Sequence, residues 1–309
     1  MKTSFSNEAL IDIVATYDLG RFISSMPFEQ GNDQTNLLVV TENGKFAFRY
    51  YEKRSVEYVK FEIELLDFLS GRQFPCPVPV VNKNGEVIGD YQGKPFALFT
   101  YMQGEHSDDE NNFRAVARSA GKLHSLTLGY EPGFAEAREA YDAESCWASA
   151  RKNAAAMTSR EEAGRRLDWL RGELDGLHLP DSLPKGICHG DTNPSNFLYV
   201  DGRISAVLDF DQASYTYLLY DVANLIYWWS LPNMGELDMG KTRVLVAKYQ
   251  EVRRLNEDER AYLFDMLKLV ILVGVGWFIH DDDDFANCKR KVAALNVLGR
   301  DTFHDALFG

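Results

Sequence analysis

Asp201-Gly202 separates two short runs rich in β-branched, aromatic and aliphatic residues, Phe197 to Val200 and Ile204 to Phe210, and this pairing constrains the chain more than any other feature. An Asp-Gly pair tolerates the positive φ angles of a two-residue hairpin turn, so the runs are expected to fold back on one another as antiparallel strands. Ile187-Cys188 reads as a further short strand ahead of them. Polar residues sit at both ends of this hairpin. His189, Asp191 and Asn196 precede its first strand at H-x-D-x-x-x-x-N spacing, and Asp209 and Asp211 close its second. Alternation places Asp209 and Asp211 on one strand face. The fold-back then predicts that Asp191, Asn196 and Asp209 lie on the same side of the pair.

Phosphoryl transfer needs this set of groups. The acceptor hydroxyl must be oriented by a carboxylate, and the phosphate charge must be held through a divalent ion bound by hard oxygen ligands. Asp191 is the candidate for the first role. Asn196 and Asp209 are the candidate ligands of Mg²⁺, with Asp211 as a supporting or second-metal group. HGD alone would pass as a polar turn and DFD alone as an acidic strand end; the joint spacing, with a hairpin between, is what points to chemistry. His189 is expected to brace the loop.

HGDTNPSN, LDFD and the later YDVAN resemble the aminoglycoside phosphotransferase and choline kinase group, whose fold is protein-kinase-like. The resemblance runs over nearly the whole chain. Within that group it is closest to the type II homoserine kinases, through GNDQTNLLVVTENGKFAFRYYEKR and CPVPVVNKNGEVIGDYQGKPFALFTYMQGE. It implies an ATP- and Mg²⁺-dependent kinase acting on a hydroxyl of a small metabolite, L-homoserine in that subfamily, as a step of threonine biosynthesis. It also implies adenine held through main-chain groups at Thr100 and Met102, and Asp221 supporting the catalytic loop from the start of a helix. His124, in AGKLHSL, matches a helix position of the larger lobe and is read as structural. One departure is plain. The resemblance implies an arginine before an aromatic pair in the C-terminal helix, whereas VGVGWFIHDDDD has Gly276 before Trp277-Phe278. Losing that cation would weaken capture of an amino-acid carboxylate.

The organisation expected is α+β and bilobal. Residues 1–103 form a small nucleotide-binding lobe with an antiparallel sheet and one main helix, and residues 104–309 a larger, mostly helical lobe for catalysis and substrate. Asn36 to Thr41 and Lys45 to Tyr51 read as strands joined through Asn43-Gly44, Val56 to Leu69 as a helix stopping at Gly71, and Phe96 to Thr100 as another strand. Helical patterning follows over Asn112 to Ser125, Ala143 to Asp175, Tyr220 to Ser230, Thr242 to Arg254 and Glu257 to Ile279. Along Phe46-Ala47-Phe48-Arg49-Tyr50, alternation sets Ala47 and Arg49 on one face, as in the kinase V-A-I-K strand whose cation meets the nontransferred phosphates. Arginine replaces lysine there, with a different reach and fork. Glu62 falls within the apolar arc of Val56, Val59, Ile63, Leu66 and Leu69 and is the expected partner of Arg49, while Glu64 points outward. QGNDQTN, Gln30 to Asn36, is either a cover for the phosphates or a plain hairpin turn.

Composition sets limits on partners. At 309 residues and 45% hydrophobic the chain can bury a sizeable core, and a net charge of −13 with pI near 5.0 argues against nucleic acid or an anionic membrane as partner. MKTSFSNEAL lacks the apolar core of a signal peptide, and Leu269 to Ile279, the longest apolar run, is too short to span a bilayer. Four scattered cysteines without a C-x-x-C pair suggest reduced thiols in the cytoplasm. Gly235 to Thr242, GELDMGKT, fits the Walker A pattern, but a helical segment and turn precede it where a strand is required, and Glu236 and Asp238 would repel phosphate. Asp281 to Asp284 read either as a solvated helix end or as attraction for a cationic acceptor such as an amino sugar, choline or an amine. Two other classes remain: a nucleotide-binding pseudokinase, suggested by Arg49, and a metallohydrolase using His189, Asp191, Asp209 and Asp211. Oligomeric state is not legible.

Overall fold

The Ser6 hydroxyl accepts a hydrogen bond from the Ala9 amide and so starts the first helix, α1 (Asn7–Ala15). The computed structural model describes residues 2–28, 34–231 and 236–309. After α1 come β1 (Phe22–Pro27), β2 (Thr35–Thr41), β3 (Gly44–Tyr50), α2 (Val56–Ser70), β4 (Ile88–Tyr91) and β5 (Lys94–Thr100). Then follow α3 (Phe113–Leu126), α4 (Ala143–Ala154), α5 (Arg160–Asp175), β6 (Lys185–Cys188), β7 (Phe197–Val200), β8 (Arg203–Val207) and β9 (Ser214–Tyr217). The chain ends in α6 (Leu219–Ser230), α7 (Met239–Gln250), α8 (Glu257–Phe278), α9 (Asp282–Leu298) and α10 (Arg300–Phe308). These elements form two compact units. Met1–Glu105, Pro132–Ala137 and Phe197–Asp211 make the first; His106–Glu131, Arg138–Asn196 and Gln212–Gly309 make the second.

The first unit is built on an antiparallel five-stranded sheet in the order β1-β2-β3-β5-β4. Leu37, Val39, Phe48, Tyr50, Phe96 and Leu98 pack with Leu10, Ile13, Val14 and Tyr17 from α1 and the residues after it, giving a core on one face. Period-two alternation then forces Arg49 to the other face, where α2 lies within its reach. Thr41 pairs with Gly44, so the β2–β3 loop is Glu42-Asn43, one residue earlier than expected, and Gly44 opens β3 at φ +143°. In the β7–β8 hairpin Asp201 and Gly202 take φ +50° and +70°, the positive pair a two-residue turn demands, and Val200 pairs with Arg203.

The hairpin differs from expectation at its far end. β8 stops at Val207, and Phe210–Gln212 is a short 3-10 turn. Asp209 sits between them at φ +58°, a left-handed conformation that aspartate tolerates better than most residues. Asp209 and Asp211 therefore do not share a strand face: side-chain exposure is 46% for Asp209 and 8% for Asp211.

Glu52, just after β3, ties the N-terminal segment to the sheet. Its carboxylate accepts from the Thr3 amide (2.6 Å) and hydroxyl (3.0 Å), the Thr35 hydroxyl (2.7 Å) and Lys94 Nζ (3.1 Å). Desolvation works against the charge, yet these bonds prevail and pull the carboxyl down to about 2. Its contribution to stability is complete above the ordinary glutamate range and is lost as pH falls toward about 2. Glu52→Gln should flatten that acid limb. A denaturation midpoint followed from pH 5 to pH 2 reports it, and an unchanged slope counts against the tie.

In the second unit α8 runs through the middle, packed against α4, α6 and α9. Asn256 and Glu259 cap it reciprocally, an arrangement worth about 1 kcal/mol. Among the described residues α8 is the helix long and apolar enough to cross a membrane, and most of that apolar window is buried inside the unit. Ala143 to Asp175 is two helices, not one. Ser159 accepts from the Glu162 amide and restarts the chain as α5. Asp281 caps α9 through the Asp283 and Asp284 amides, and Asp282 pairs with Arg166, so this acidic run is a helix N-terminus with its charges facing the helix dipole. Gly276 lies so close to the Cys146 carbonyl that a Cβ would stand 2.9 Å from it. No side chain fits there without moving α4 or α8.

Candidate active site

In the first unit, Arg49 is the centre of a charged cluster. Nη1 reaches Glu62 Oε1 at 3.3 Å, and Nη2 reaches Asp209 Oδ1 at 2.9 Å and Asp211 Oδ1 at 3.7 Å. Glu62 is buried in α2 and accepts from the Tyr51 hydroxyl at 3.1 Å. Burial disfavours the guanidinium's charge, but the surrounding carboxylates prevail and raise its pKa well above the usual value. Arg54 Nη2 holds Asp211 Oδ2 at 2.5 Å, and the Tyr58 hydroxyl donates to the Asp211 carbonyl. Arg54 also stacks on the Tyr58 ring, 4.4 Å from its centroid. Sequence reasoning missed Arg54 and Tyr58; both precede or open α2 with no periodic signal, and only the tertiary fold brings them to the turn after β8.

In the second unit, the loop after β6 is held almost entirely from α6. Asp221 is fully buried and accepts from the His189 amide at 2.7 Å and the Gly190 amide at 2.9 Å. Burial pushes its carboxyl up, but hydrogen bonding from His124 and the nearby imidazoles and amide outweigh it and keep the group below its ordinary range. One helical turn on, Asn224 Oδ1 accepts from the Thr192 amide and hydroxyl, both at 2.7 Å, and Trp229 Nε1 donates to the Thr192 carbonyl at 3.0 Å. Gly190, at φ +79°, could carry no Cβ, which would sit 2.4 Å from the Gln212 carbonyl. Asp191 follows on this clamped frame. Its carboxylate accepts from Asn196 Nδ2 at 2.9 Å, which also bonds the Asp191 carbonyl at 2.9 Å. Asn224 and Trp229 were not singled out from sequence, although Asn224 belongs to the YDVAN run at helical spacing from Asp221.

The expected site residues thus fall into groups. Arg49, Glu62, Asp209 and Asp211 meet in the first unit, and Asp191, Asn196 and His189 in the second. Thr100 ends β5, where its hydroxyl accepts from the Val78 amide at 2.9 Å and lies 3.9 Å from Met102 Sδ. Of QGNDQTN, Gln30 to Asp33 lie outside the described residues, while Gln34 Oε1 accepts from the Glu52 amide at 2.9 Å and Asn36 is part of β2. Gly235 also lies outside them. The rest of the Walker-like run leads into α7, whose N-terminus Asp238 caps through the Lys241 amide, in sequence after α6 and not after a strand. Lys241→Ala should leave ATP turnover within about twofold, as for a surface substitution; a loss comparable to that of Asp191→Asn overturns this.

Asn196 and Asp209 suit a hard divalent cation in kind. Both offer oxygen, and the two bonds made by the Asn196 amide nitrogen leave its oxygen as the atom available for a ligand. A different cluster, His124, Cys188 and Asp221, also has ligand atoms within 4.8 Å of one another. It does not fit a metal. Both imidazole nitrogens are engaged, and burial and then Asp221 raise the Cys188 thiol well above its usual range, keeping it protonated.

Comparison with known proteins gives the family. The sequence pattern of the phosphotransferase enzyme family, APH, matches residues 25–255. A homoserine kinase of Nitrobacter winogradskyi is 30% identical over 266 residues, covering 84% of this chain and 80% of that protein. One from Rhizobium meliloti is 28% identical over 83% of this chain and 79% of its own. Among solved structures, an amicoumacin kinase in complex with AMP-PNP, Ca²⁺ and Ami superposes with a TM-score of 0.73 at 18% identity over 97% of each chain. A microcompartment-associated aminopropanol kinase gives 0.70 at 17% identity, over 98% of this chain and 99% of its own. These two likenesses show a shared fold.

Proposed function

Since the chain belongs to the phosphotransferase enzyme family and is a small-molecule kinase with a hydroxyl acceptor, we propose that its acceptor is L-homoserine and its donor Mg-ATP. The observation that carries this reading is identity near 30% to curated homoserine kinases across four fifths of both chains. In it, Asp191 orients the acceptor hydroxyl and takes its proton as the γ-phosphoryl group passes from ATP to that oxygen, leaving ADP and a phosphate monoester. Asn196 and Asp209 would hold Mg²⁺, which neutralises phosphate charge when bound. Arg49, fixed by Glu62, faces the nontransferred phosphates, and main-chain groups at Thr100 and Met102 take adenine. Residues 1–103 would then serve the nucleotide and residues 104–309 catalysis and the acceptor.

One observation favours a second acceptor class. Position 276 has no room for a side chain, so α8 carries no cation before Trp277 to receive an amino-acid carboxylate. An amino alcohol without a carboxylate fits that departure. A coupled ADP-release screen across L-homoserine, choline, methylthioribose, hydroxylysine, an aminopropanol and aminoglycosides decides between them. The highest kcat/KM is expected for L-homoserine; a tenfold preference for any other acceptor replaces it.

A further inference from the structure

Tyr141 is buried at φ +47°, a left-handed backbone that strains a bulky residue and persists only where its surroundings over-determine it. They do so here. The Ser214 and Thr216 hydroxyls donate to the Glu139 and Ala140 carbonyls, the Tyr141 hydroxyl donates to the Gln212 carbonyl at 2.8 Å, and Asp142 caps α4 through the Ser145 amide at 2.7 Å. The strained step aims a ring. Tyr141 stacks on Tyr220 with centroids 4.6 Å apart, meets Trp277 edge-on at 6.1 Å, and lies against the loop that carries Asp191, where a Cβ on Gly190 would stand 3.2 Å from its Cε2. Trp277 is fixed in turn, since Asn153 Nδ2 donates to the carbonyls of Gly276 and Trp277 at 2.9 and 3.1 Å. The Trp277 indole N–H donates to Glu139 Oε2 at 3.3 Å. All of these residues belong to the second unit, and among the described residues no cation pairs with Glu139.

The frame of this corner is buried, while Glu139 is exposed and Trp277 half-buried. A long, exposed hydrogen bond adds little to folding stability, so the Glu139–Trp277 contact does not account for the strained frame behind it. A carboxylate beside an indole is a receptor for an ammonium group, through a charge-assisted bond and attraction to the ring face. The same corner disfavours an anion, since Glu139 repels it and position 276 carries no cation. We propose that Glu139 and Trp277 form the subsite for an ammonium group of the acceptor, so that this kinase selects amino alcohols by the amine and not by a carboxylate. The proposal rests on Asp191 orienting the acceptor hydroxyl, and it names the group recognised beyond that hydroxyl.

Three acceptors that differ by one group separate the amine from the carboxylate. L-homoserine has both, 3-aminopropan-1-ol lacks the carboxylate, and 4-hydroxybutanoate lacks the amine. Measured by ADP release, removing the carboxylate should change kcat/KM by less than about tenfold, and removing the amine should lower it by about 100-fold or more. Glu139→Gln keeps the size of an exposed side chain and removes its charge. It is expected to raise the KM of both amines about 10- to 100-fold, to leave KM for ATP within about twofold, and to leave 4-hydroxybutanoate no worse a substrate than before. Calorimetric titration of the two amines should show the same weakening without turnover, and Glu139→Asp should restore part of it. A preference for 3-aminopropan-1-ol over L-homoserine ends the homoserine reading and leaves the subsite standing. Equal use of L-homoserine and 4-hydroxybutanoate, an unchanged amine KM in Glu139→Gln, or failure of both amines to bind overturns the subsite, whichever acceptor is preferred. Retained transfer in Asp191→Ala removes the role given to Asp191, while the calorimetric affinities still report on Glu139.

Discussion

Asp191→Ala is expected to lower kcat for phosphoryl transfer by about 10²- to 10⁴-fold, the range for removing a positioned general base. Its carboxylate stands on a loop whose amides, carbonyl and hydroxyl groups are bonded from α6, so truncation leaves the loop in place while removing the group proposed to take the proton. Affinity for Mg-ATP should therefore change little. Steady-state ADP release with the preferred acceptor, together with calorimetric nucleotide binding, measures both. Transfer within tenfold of wild type ends the assignment of Asp191.

Asp209→Asn carries the second large effect. The substitution keeps the size and the left-handed backbone of the position, which asparagine tolerates, but removes the negative charge. Losing one charged ligand of a phosphate-bound cation costs about 3–4 kcal/mol of transition-state stabilisation, or roughly 10²- to 10³-fold in kcat. The Mg²⁺ concentration giving half the maximal rate should rise with it. Arg49 also loses an ion pair, yet Glu62 and Asp211 remain close to it, so the fold should hold. A magnesium titration that superposes on wild type removes Asp209 from the metal site.

Local chemistry made some of this legible. Asp201-Gly202 announced the hairpin because few residue pairs accept two positive φ angles in succession. Glu62 stood out because a carboxylate inside an apolar helical stripe needs a partner, and Arg49 was the cation on the facing strand. The end of β8 was misread for an equally local reason. Leu208 and Phe210 continue the apolar pattern past Val207, and nothing in that pattern registers that Asp209 turns left-handed. The restart of α5 at Ser159 did carry a signal, since Ser159 and Glu162 have the spacing of a capping box, but helical composition on both sides hid it. Tyr249, Arg54 and Asn224 were illegible as partners because their bonds join residues far apart in sequence.

The first unit is discontinuous, and its last piece is the hairpin. Glu105 pairs with Tyr199, Ser205 donates to the Gln103 carbonyl, and the Val207 amide donates to the Pro75 carbonyl. During synthesis the sheet of this unit therefore leaves the ribosome about a hundred residues before the segment that completes it. At roughly 5–20 residues per second that interval is on the order of 5–20 s. The sheet can form in that time, but the main-chain groups of Pro75, Gln103 and Glu105 that receive the hairpin stay open to other chains until Asp211 has emerged. Chaperone demand during translation should concentrate in that window.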